Sequence, residues 1–114
     1  MIDEATKAAI LEKFPGAKTL TAQYGEEEAP QVAEIIVKVP GRAEYRRFKT
    51  LGLDERRRVD AGETLLRDCC LSPDAKGLAD LLERAPALAE TFSGKLLELA
   101  GMAQEVAARD LSSA

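Results

Sequence analysis

The stretch AEIIVKVPGRAEYRRF, residues 33–48, contains the change from strand to helix around which the rest of the chain is organised. Four of the five residues from 35 to 39 are β-branched, which predicts a strand over 33–39. Pro40 and Gly41 end that strand. Tyr45 and Phe48 then recur at a spacing of three residues, which predicts a short helix over about 42–50, ended by Gly52.

The residues before this stretch predict a helix followed by a partner strand. Asp3 is suited to cap a helix over roughly 4–14, and Pro15-Gly16 ends it. Its apolar positions Ala5, Ala8, Ala9 and Leu11 follow helical spacing. Residues 17–24 alternate loosely and are rich in threonine, and the polar segment 25–31 is typical of a turn. We therefore expect a β-hairpin, which needs the helices that follow to cover it.

The residues after Gly52 predict three further helices. Asp54 could cap a helix that reaches Cys70, and Ser72 with Pro73 predicts the start of a helix over about 73–85. Pro86 ends that helix, and a last helix is predicted from about 87 to 109. The residues expected to face the core are Val59, Leu65, Leu66, Cys69, Cys70, Leu78, Leu81, Leu82, Leu88, Phe92, Leu96, Leu99, Ala103 and Val106.

These elements predict an α+β fold: an N-terminal helix and β-hairpin followed by a compact bundle of about four helices. At 114 residues the chain fits a single domain, 1–114. Its helix and hairpin part covers 1–40 and its helical part covers 41–110. Strands and helices do not alternate, which argues against a doubly wound sheet.

The charge of the chain is acidic overall and basic locally. The formal net charge is −4, with a pI near 4.9. Residues 42–67 nevertheless hold eight basic and five acidic side chains. Net acidity argues against nucleic acid as the main partner. No apolar run approaches the roughly 20 residues of a membrane-spanning helix, and the acidic start does not resemble a secretory signal. We therefore expect a cytoplasmic protein that does not use a membrane.

The residue types offer little for catalysis or metal binding. The chain has no histidine, so the commonest general base and metal ligand is missing. The two cysteines, Cys69 and Cys70, are adjacent and unsuited to a structural disulfide, so we interpret them as reduced and inert, with a reactive thiol as the alternative. The acidic segment GEEE is typical of a solvated turn. We expect no enzyme activity, no metal and no cofactor.

The most informative candidate site is the basic and aromatic segment Arg42, Tyr45, Arg46, Arg47 and Phe48. One interpretation is structural, because Glu44 and Arg47 are spaced for an ion pair and both rings would anchor the helix onto the hairpin. A second is contact with a partner protein, since arginine and aromatic residues dominate interface energetics. A third is phosphate binding along residues 42–58.

The predicted last helix has two interpretations as well. Its apolar face most simply belongs to the core. If its last two turns extend beyond the body of the protein, Met102 and Val106 would be available to pack on a second copy.

The order of these features resembles a family of small phage proteins encoded among tail genes, the tail assembly chaperones. The first matching element, P-x-RAEYRRF, falls on Pro40, Arg42, Ala43, Glu44, Tyr45, Arg47 and Phe48. The second, in LLRDCCLSPD, falls on Leu65, Leu66, Cys69, Pro73 and Asp74. The third falls on Leu81, Leu82, Glu83, Arg84, Pro86, Leu88 and residues 96–101. The resemblance covers about 34–101.

This resemblance implies a non-catalytic role in phage or prophage tail assembly, inside the bacterial host cell. Tail assembly chaperones cover the apolar stripes of the long, helical tape-measure protein and leave before the tail is complete. The expected partner is therefore the tape-measure protein or another tail protein, with homo-oligomerisation also compatible. Two alternatives remain: a nucleic-acid-binding accessory protein that uses the basic 42–58 strip, and a structural tail subunit retained in the particle.

Overall fold

The computed structural model describes residues 2–102 and 106–111. It confirms a mixed α+β fold with an N-terminal helix, a hairpin and several helices. The elements are α1 (Glu4–Lys13), β1 (Lys18–Tyr24), β2 (Gln31–Val37), α2 (Arg42–Leu53), a 3₁₀ turn (Arg58–Asp60), α3 (Ala61–Cys69), β3 (Cys70–Ser72), α4 (Ala75–Arg84) and α5 (Leu88–Leu99). None of the helices within these described residues is long and apolar enough to cross a bilayer.

The hairpin is extended by a third strand into one antiparallel sheet of order β1-β2-β3. β1 and β2 pair in a continuous register, from Lys18 opposite Val37 to Tyr24 opposite Gln31. The third strand was not predicted, because the sequence indicated a helix that reaches Cys70. Cys70 instead adopts an extended conformation, and β3 pairs with β2 through an irregular register between Ile36 and Val37.

The hydrophobic core lies between one face of this sheet and the helices. Ala33, Ile35 and Val37 alternate along β2, so their side chains share the face that packs against α3, α4 and α5. The helices contribute Leu65, Leu66, Cys69, Leu78, Leu81, Leu82, Leu88, Phe92 and Leu96, all buried. The predicted core is thus confirmed for these nine residues. Cys70 and Leu99 are only partly buried, against its rim.

The first helix lies outside this core. Asp3 caps it as predicted, accepting a hydrogen bond of 2.7 Å from the Thr6 backbone N–H. That bond lowers the pKa of the Asp3 carboxyl. No residue of α1 is buried. Glu34 of β2 accepts a hydrogen bond from the Ile2 backbone and lies 3.7 Å from the Lys7 Nζ, which ties the beginning of α1 to the second face of the sheet.

The prediction of one helix from Asp54 to Cys70 is wrong. The Asp54 carboxylate accepts from the Arg56 backbone N–H, only two residues later, at 3.0 Å. This local bond forms a turn rather than a helix start. The 3₁₀ turn follows, and α3 begins only at Ala61. Val59 is consequently 86% exposed instead of facing the core.

The beginning of α4 also differs from the prediction. Ser72 belongs to β3, and the cap is Asp74, which accepts from the Gly77 backbone N–H at 2.8 Å. The helix therefore starts at Ala75 rather than Pro73.

The last helix ends ten residues earlier than predicted. Gly101 takes a φ of +104°, a conformation that suits glycine. Its N–H donates to the Glu98 carbonyl, and the Met102 N–H donates to the Leu97 carbonyl, both at 3.0 Å. These two bonds form a Schellman motif, which terminates the helix. The predicted core position Val106 is non-helical and 91% exposed, while Ala103 lies outside the described residues.

Candidate partner-binding surface

The second helix has an inward face built on its two rings. Tyr45 and Phe48 are half-buried, with ring centroids 6.3 Å apart, and Phe48 packs against the core. The element that α2 contacts most is α3, while the core against which Phe48 packs also contains residues of the hairpin, onto which these rings were expected to anchor the helix. Both rings therefore serve first to fix α2 on the body of the protein.

The opposite face of α2 carries a line of exposed side chains. Arg42, Arg46, Lys49 and Leu53 follow one another at steps of four, three and four residues, so they share one side of the helix. Leu53 is 81% exposed. An apolar side chain this exposed, at the end of a row of three cations, is a feature that folding alone does not require.

The turn after α2 extends this line. Arg58 donates from Nε to the Gly52 carbonyl at 2.8 Å, which holds the turn against the end of the helix. Arg56, Arg57 and Val59 are exposed around it. We call the combined set the basic–apolar surface: Arg42, Arg46, Lys49, Leu53, Arg56, Arg57 and Val59.

The basic–apolar surface continues into a groove at the start of α5. This groove has a volume of about 420 Å³, and Val59, Pro86 and Ala89 form its apolar lining. Asp60, Glu63 and Glu90 add carboxylates at the same place. The surface therefore changes from basic and open along α2 to apolar with an acidic rim at the groove.

Two charged residues of the predicted segment are committed to folding. Arg47 pairs with Asp68 of α3 at 3.2 Å. Glu44 accepts from Lys38 at 3.1 Å and from the Gly41 backbone N–H at 3.3 Å, instead of pairing with Arg47 as expected. The hydrogen bond from the Lys38 ammonium is the main reason that the pKa of Glu44 is lowered, and the bond from Gly41 adds to it.

The five cations of the basic–apolar surface are free of such pairs. Within residues 2–102 and 106–111, none of them lies within 4.0 Å of a carboxylate. Because these cations have no internal counter-ion among those residues, they can pair with an acidic partner without first breaking an existing contact.

The other predicted contact residues are Met102 and Val106. They do not lie on a helix face as predicted, and they are not part of the basic–apolar surface. Both are exposed and follow the end of α5. Leu53 was not predicted to be a surface contact, and Val59 was predicted to face the core. The available signal for Leu53 was its place four residues after Lys49, on the side of α2 opposite to Phe48.

Burial disfavours the thiolate form of both cysteines. Burial raises the pKa of Cys69 to about 11, and burial likewise raises that of Cys70 to about 11. Cys70 also donates from its thiol to the Ser72 carbonyl at 3.4 Å. Since the thiolate is the nucleophilic form, both groups stay protonated at neutral pH. Among the described residues, no cluster of three or more histidine, cysteine or acidic side chains is placed to hold a metal.

A second groove lies beside α1. It has a volume of about 540 Å³ and is lined on its apolar side by Ala5, Ala9, Ile10, Phe14 and, from β3, Leu71. None of the predicted contact residues borders it.

The fold and the basic–apolar surface together define a class: a small α+β protein with a cationic helix face and exposed apolar side chains. The chain belongs to a family described as a domain of unknown function (DUF6848), whose profile matches residues 18–109. A comparison with curated proteins found no match.

The fold recurs in a solved structure, an uncharacterised protein, rbstp2171, from Bacillus stearothermophilus. The TM-score is 0.68 at 16% sequence identity, and the match covers 90% of this chain and 99% of that one. At this identity the likeness concerns the fold alone.

Proposed function

We propose that this protein is a non-catalytic, tail-assembly-chaperone-like protein that binds the tape-measure protein during phage or prophage tail assembly in the bacterial cytoplasm. The observation that carries the proposal is the basic–apolar surface, in which cations without an ion pair among the described residues accompany Leu53 and Val59, 81% and 86% exposed. The sequence resemblance over residues 34–101 supports the same role.

The surface suits an amphipathic helix with acidic flanks. A helix in a groove is held by apolar anchors at spacings of three and four residues. Leu53 and Val59 provide apolar contacts on this side, and the groove beside Pro86 and Ala89 can take an apolar side chain of the partner. Arg42, Arg46 and Lys49 would orient acidic positions along the helix.

The strength of such a contact matches a chaperone that must leave. Exposed ion pairs contribute roughly 0–1 kcal/mol each and are screened by salt. Charges of this kind raise the association rate and favour the correct partner more than they raise affinity. Several of them around two apolar anchors give binding that is selective and reversible.

The experiment is capture of overlapping tape-measure fragments by the immobilised protein. The variant Arg46→Glu/Lys49→Glu changes two exposed residues that form no ion pair within the described part of the chain, so the fold should be retained. We expect at least about a tenfold loss of affinity, the equivalent of 1.4 kcal/mol. The matched control is Lys76→Glu/Arg84→Glu, which makes the same charge change at exposed positions of α4. Equal capture by both variants, or capture of no fragment by the wild type, contradicts the proposal.

A nucleic-acid-binding role is the second candidate, favoured by the five cations between residues 42 and 57 that form no ion pair in the described part of the chain. The half-buried Tyr45 beside Phe48 is poorly placed to stack on bases, which counts against it. A titration with single- and double-stranded DNA at increasing salt separates the two roles. Phosphate contacts require affinity to fall steeply, by a power of the salt concentration.

A further inference from the structure

The outer edge of β1 is an open strand edge. β1 lies at the end of the order β1-β2-β3, and in the described part of the chain its only strand partner is β2. Its seven residues contain no proline, its register with β2 has no bulge, and its only charge is Lys18 at the beginning. Proteins usually protect such an edge with proline, bulges or several charges. β1 has almost none of these protections.

The pairing pattern shows which backbone groups face this edge. The Lys38 N–H donates to the Cys69 carbonyl at 2.9 Å, so the backbone groups of Lys38 point toward β3. Backbone direction alternates along an antiparallel strand, so the groups of Ile35 point toward β1, where its register partner is Leu20. The residues between the bonded positions of β1 must turn their N–H and C=O groups outward. They are Thr19, Thr21 and Gln23, all exposed.

A cleft runs beside the edge, between β1 and α5. It has a volume of about 310 Å³, and its apolar part is formed by Leu20, Ala22 and Phe92. Thr91 and Lys95 of α5 also line it, together with Thr19 and Thr21 of β1. A strand added to the edge could therefore place its alternate side chains in this cleft.

We propose that the edge is the site of self-association, in which β1 of one copy pairs antiparallel with β1 of a second copy about a two-fold axis at Thr21. The two sheets would then join into one of six strands. This inference does not depend on the proposed chaperone role.

The side chains of β1 are complementary to themselves in this register. Thr21 would face the partner's Thr21, and Leu20 would face the partner's Ala22, which pairs a large with a small side chain in the cleft. Lys18 would face the partner's Tyr24. Threonine pairs and cation–aromatic pairs are favourable across strands, and no like charges are directly opposed.

The charges beyond the ends of β1 select the antiparallel direction. The turn after β1 contains Glu26, Glu27 and Glu28, all exposed and without an ion pair among the described residues. Antiparallel pairing brings this acidic turn beside the beginning of the partner's β1, where Lys18 lies and Lys13 precedes it. Parallel pairing would place the two acidic turns side by side. Charge complementarity therefore favours a two-fold symmetric dimer.

The test is sedimentation velocity of the full chain over a range of concentrations. The wild type should show a dimer fraction that rises with concentration. Thr21→Lys would place two cations directly opposite each other at the axis, while in the monomer the new side chain replaces an exposed one whose register partner on β2 is Glu34. We expect it to weaken dimerisation by at least about tenfold. Thr50→Lys makes the same change at an exposed threonine of α2 and should dimerise as the wild type does.

A second variant tests the dimer without any substitution in β1. Replacing the three acids by lysine, Glu26→Lys/Glu27→Lys/Glu28→Lys, alters only the exposed turn and should also weaken the dimer by about tenfold. A wild type that stays monomeric at millimolar concentration overturns the proposal. So does either variant that dimerises as tightly as the wild type, or a Thr50→Lys control that is weakened equally.

Discussion

Helices α3 and α5 contact each other closely at Gly62, and replacing this glycine gives a sharp prediction. A Cβ atom at Gly62 would lie 2.9 Å from the Ser93 Oγ and 3.5 Å from the Ser93 Cβ. Ser93 is buried, and its hydroxyl donates to the Glu90 carbonyl at 3.2 Å. In Gly62→Ala either the hydroxyl must rotate and lose this bond, or the two helices must separate.

The expected magnitude follows from three opposing terms. Alanine in place of glycine stabilises a helix by up to about 1 kcal/mol. Losing the Ser93 hydrogen bond costs about 1 kcal/mol. Forcing an extra methyl group into a packed contact typically costs about 1–3 kcal/mol. Adding the two costs and subtracting the full gain predicts a decrease of about 1–3 kcal/mol in the free energy of unfolding, which lowers Tm by several degrees or more.

The assay is urea unfolding of a double-mutant cycle with Ser93→Ala. That substitution removes the Oγ and keeps the Cβ, so Gly62→Ala in the Ser93→Ala background should be neutral or stabilising by up to about 1 kcal/mol. Gly94→Ala is the matched control, because a Cβ there meets no atom within 4 Å and only the helix preference changes. The reasoning is refuted if Gly62→Ala stabilises the wild type as Gly94→Ala does.

Three further outcomes follow from the burial and the pKa shifts. Glu44→Gln should lower the free energy of unfolding near neutral pH. Because folding lowers the pKa of Glu44, the difference in this free energy between wild type and variant should shrink as the pH falls below the ordinary pKa of 4.5. A difference that does not depend on pH would contradict this. Cys69 and Cys70 should resist iodoacetamide at pH 7.5 in the native protein and react only on unfolding, as mass spectrometry would show. Leu53→Ala should change the free energy of unfolding by less than about 0.5 kcal/mol, whereas Leu65→Ala at a fully buried position should cost about 2–5 kcal/mol in the same urea titration.

The sequence was sufficient to predict the elements whose pattern is local and strong. The alternation and β-branching before Pro40 located the hairpin, and the leucines of α4 identified its buried side. The Asp3 carboxylate caps a helix that begins at the next residue, and the β-branched residues of β2 favour the strand in which they lie. Both effects are local, so they could be predicted without knowing any distant contact.

The predictions that failed depended on competition between local signals. The spacing of apolar residues predicted that the last helix continues past Gly101. This glycine instead forms the Schellman motif that ends the helix. Asp54 is a good cap in isolation, but its carboxylate bonds to the nearer Arg56 N–H and forms a turn instead. Val59 was placed on an inward stripe only because the helix was assumed to begin before it.

Gly62 shows a different limit. From the sequence alone, glycine at this position only predicts a less stable helix, since its helix propensity is about 1 kcal/mol less favourable than that of alanine. The structure gives a reason for a glycine here: Ser93, thirty-one residues later, has its Oγ 2.9 Å from the position that a Cβ would take. A contact of this kind cannot be inferred from local propensity, because the same local sequence would suit an exposed helix.

The candidate surface also depends on contacts between residues that are distant in the sequence. Arg46 and Arg47 are adjacent and chemically identical, yet Arg47 is paired with Asp68 of α3 while Arg46 faces outward beside Lys49. Reversing Arg47 would therefore remove an ion pair between helices as well as a surface charge, and a loss of binding would have two explanations. Reversing Arg46 with Lys49 changes only the exposed side of α2. The cations available to a partner are thus determined by which carboxylates the fold brings to the neighbouring helix, and not by their number in the segment.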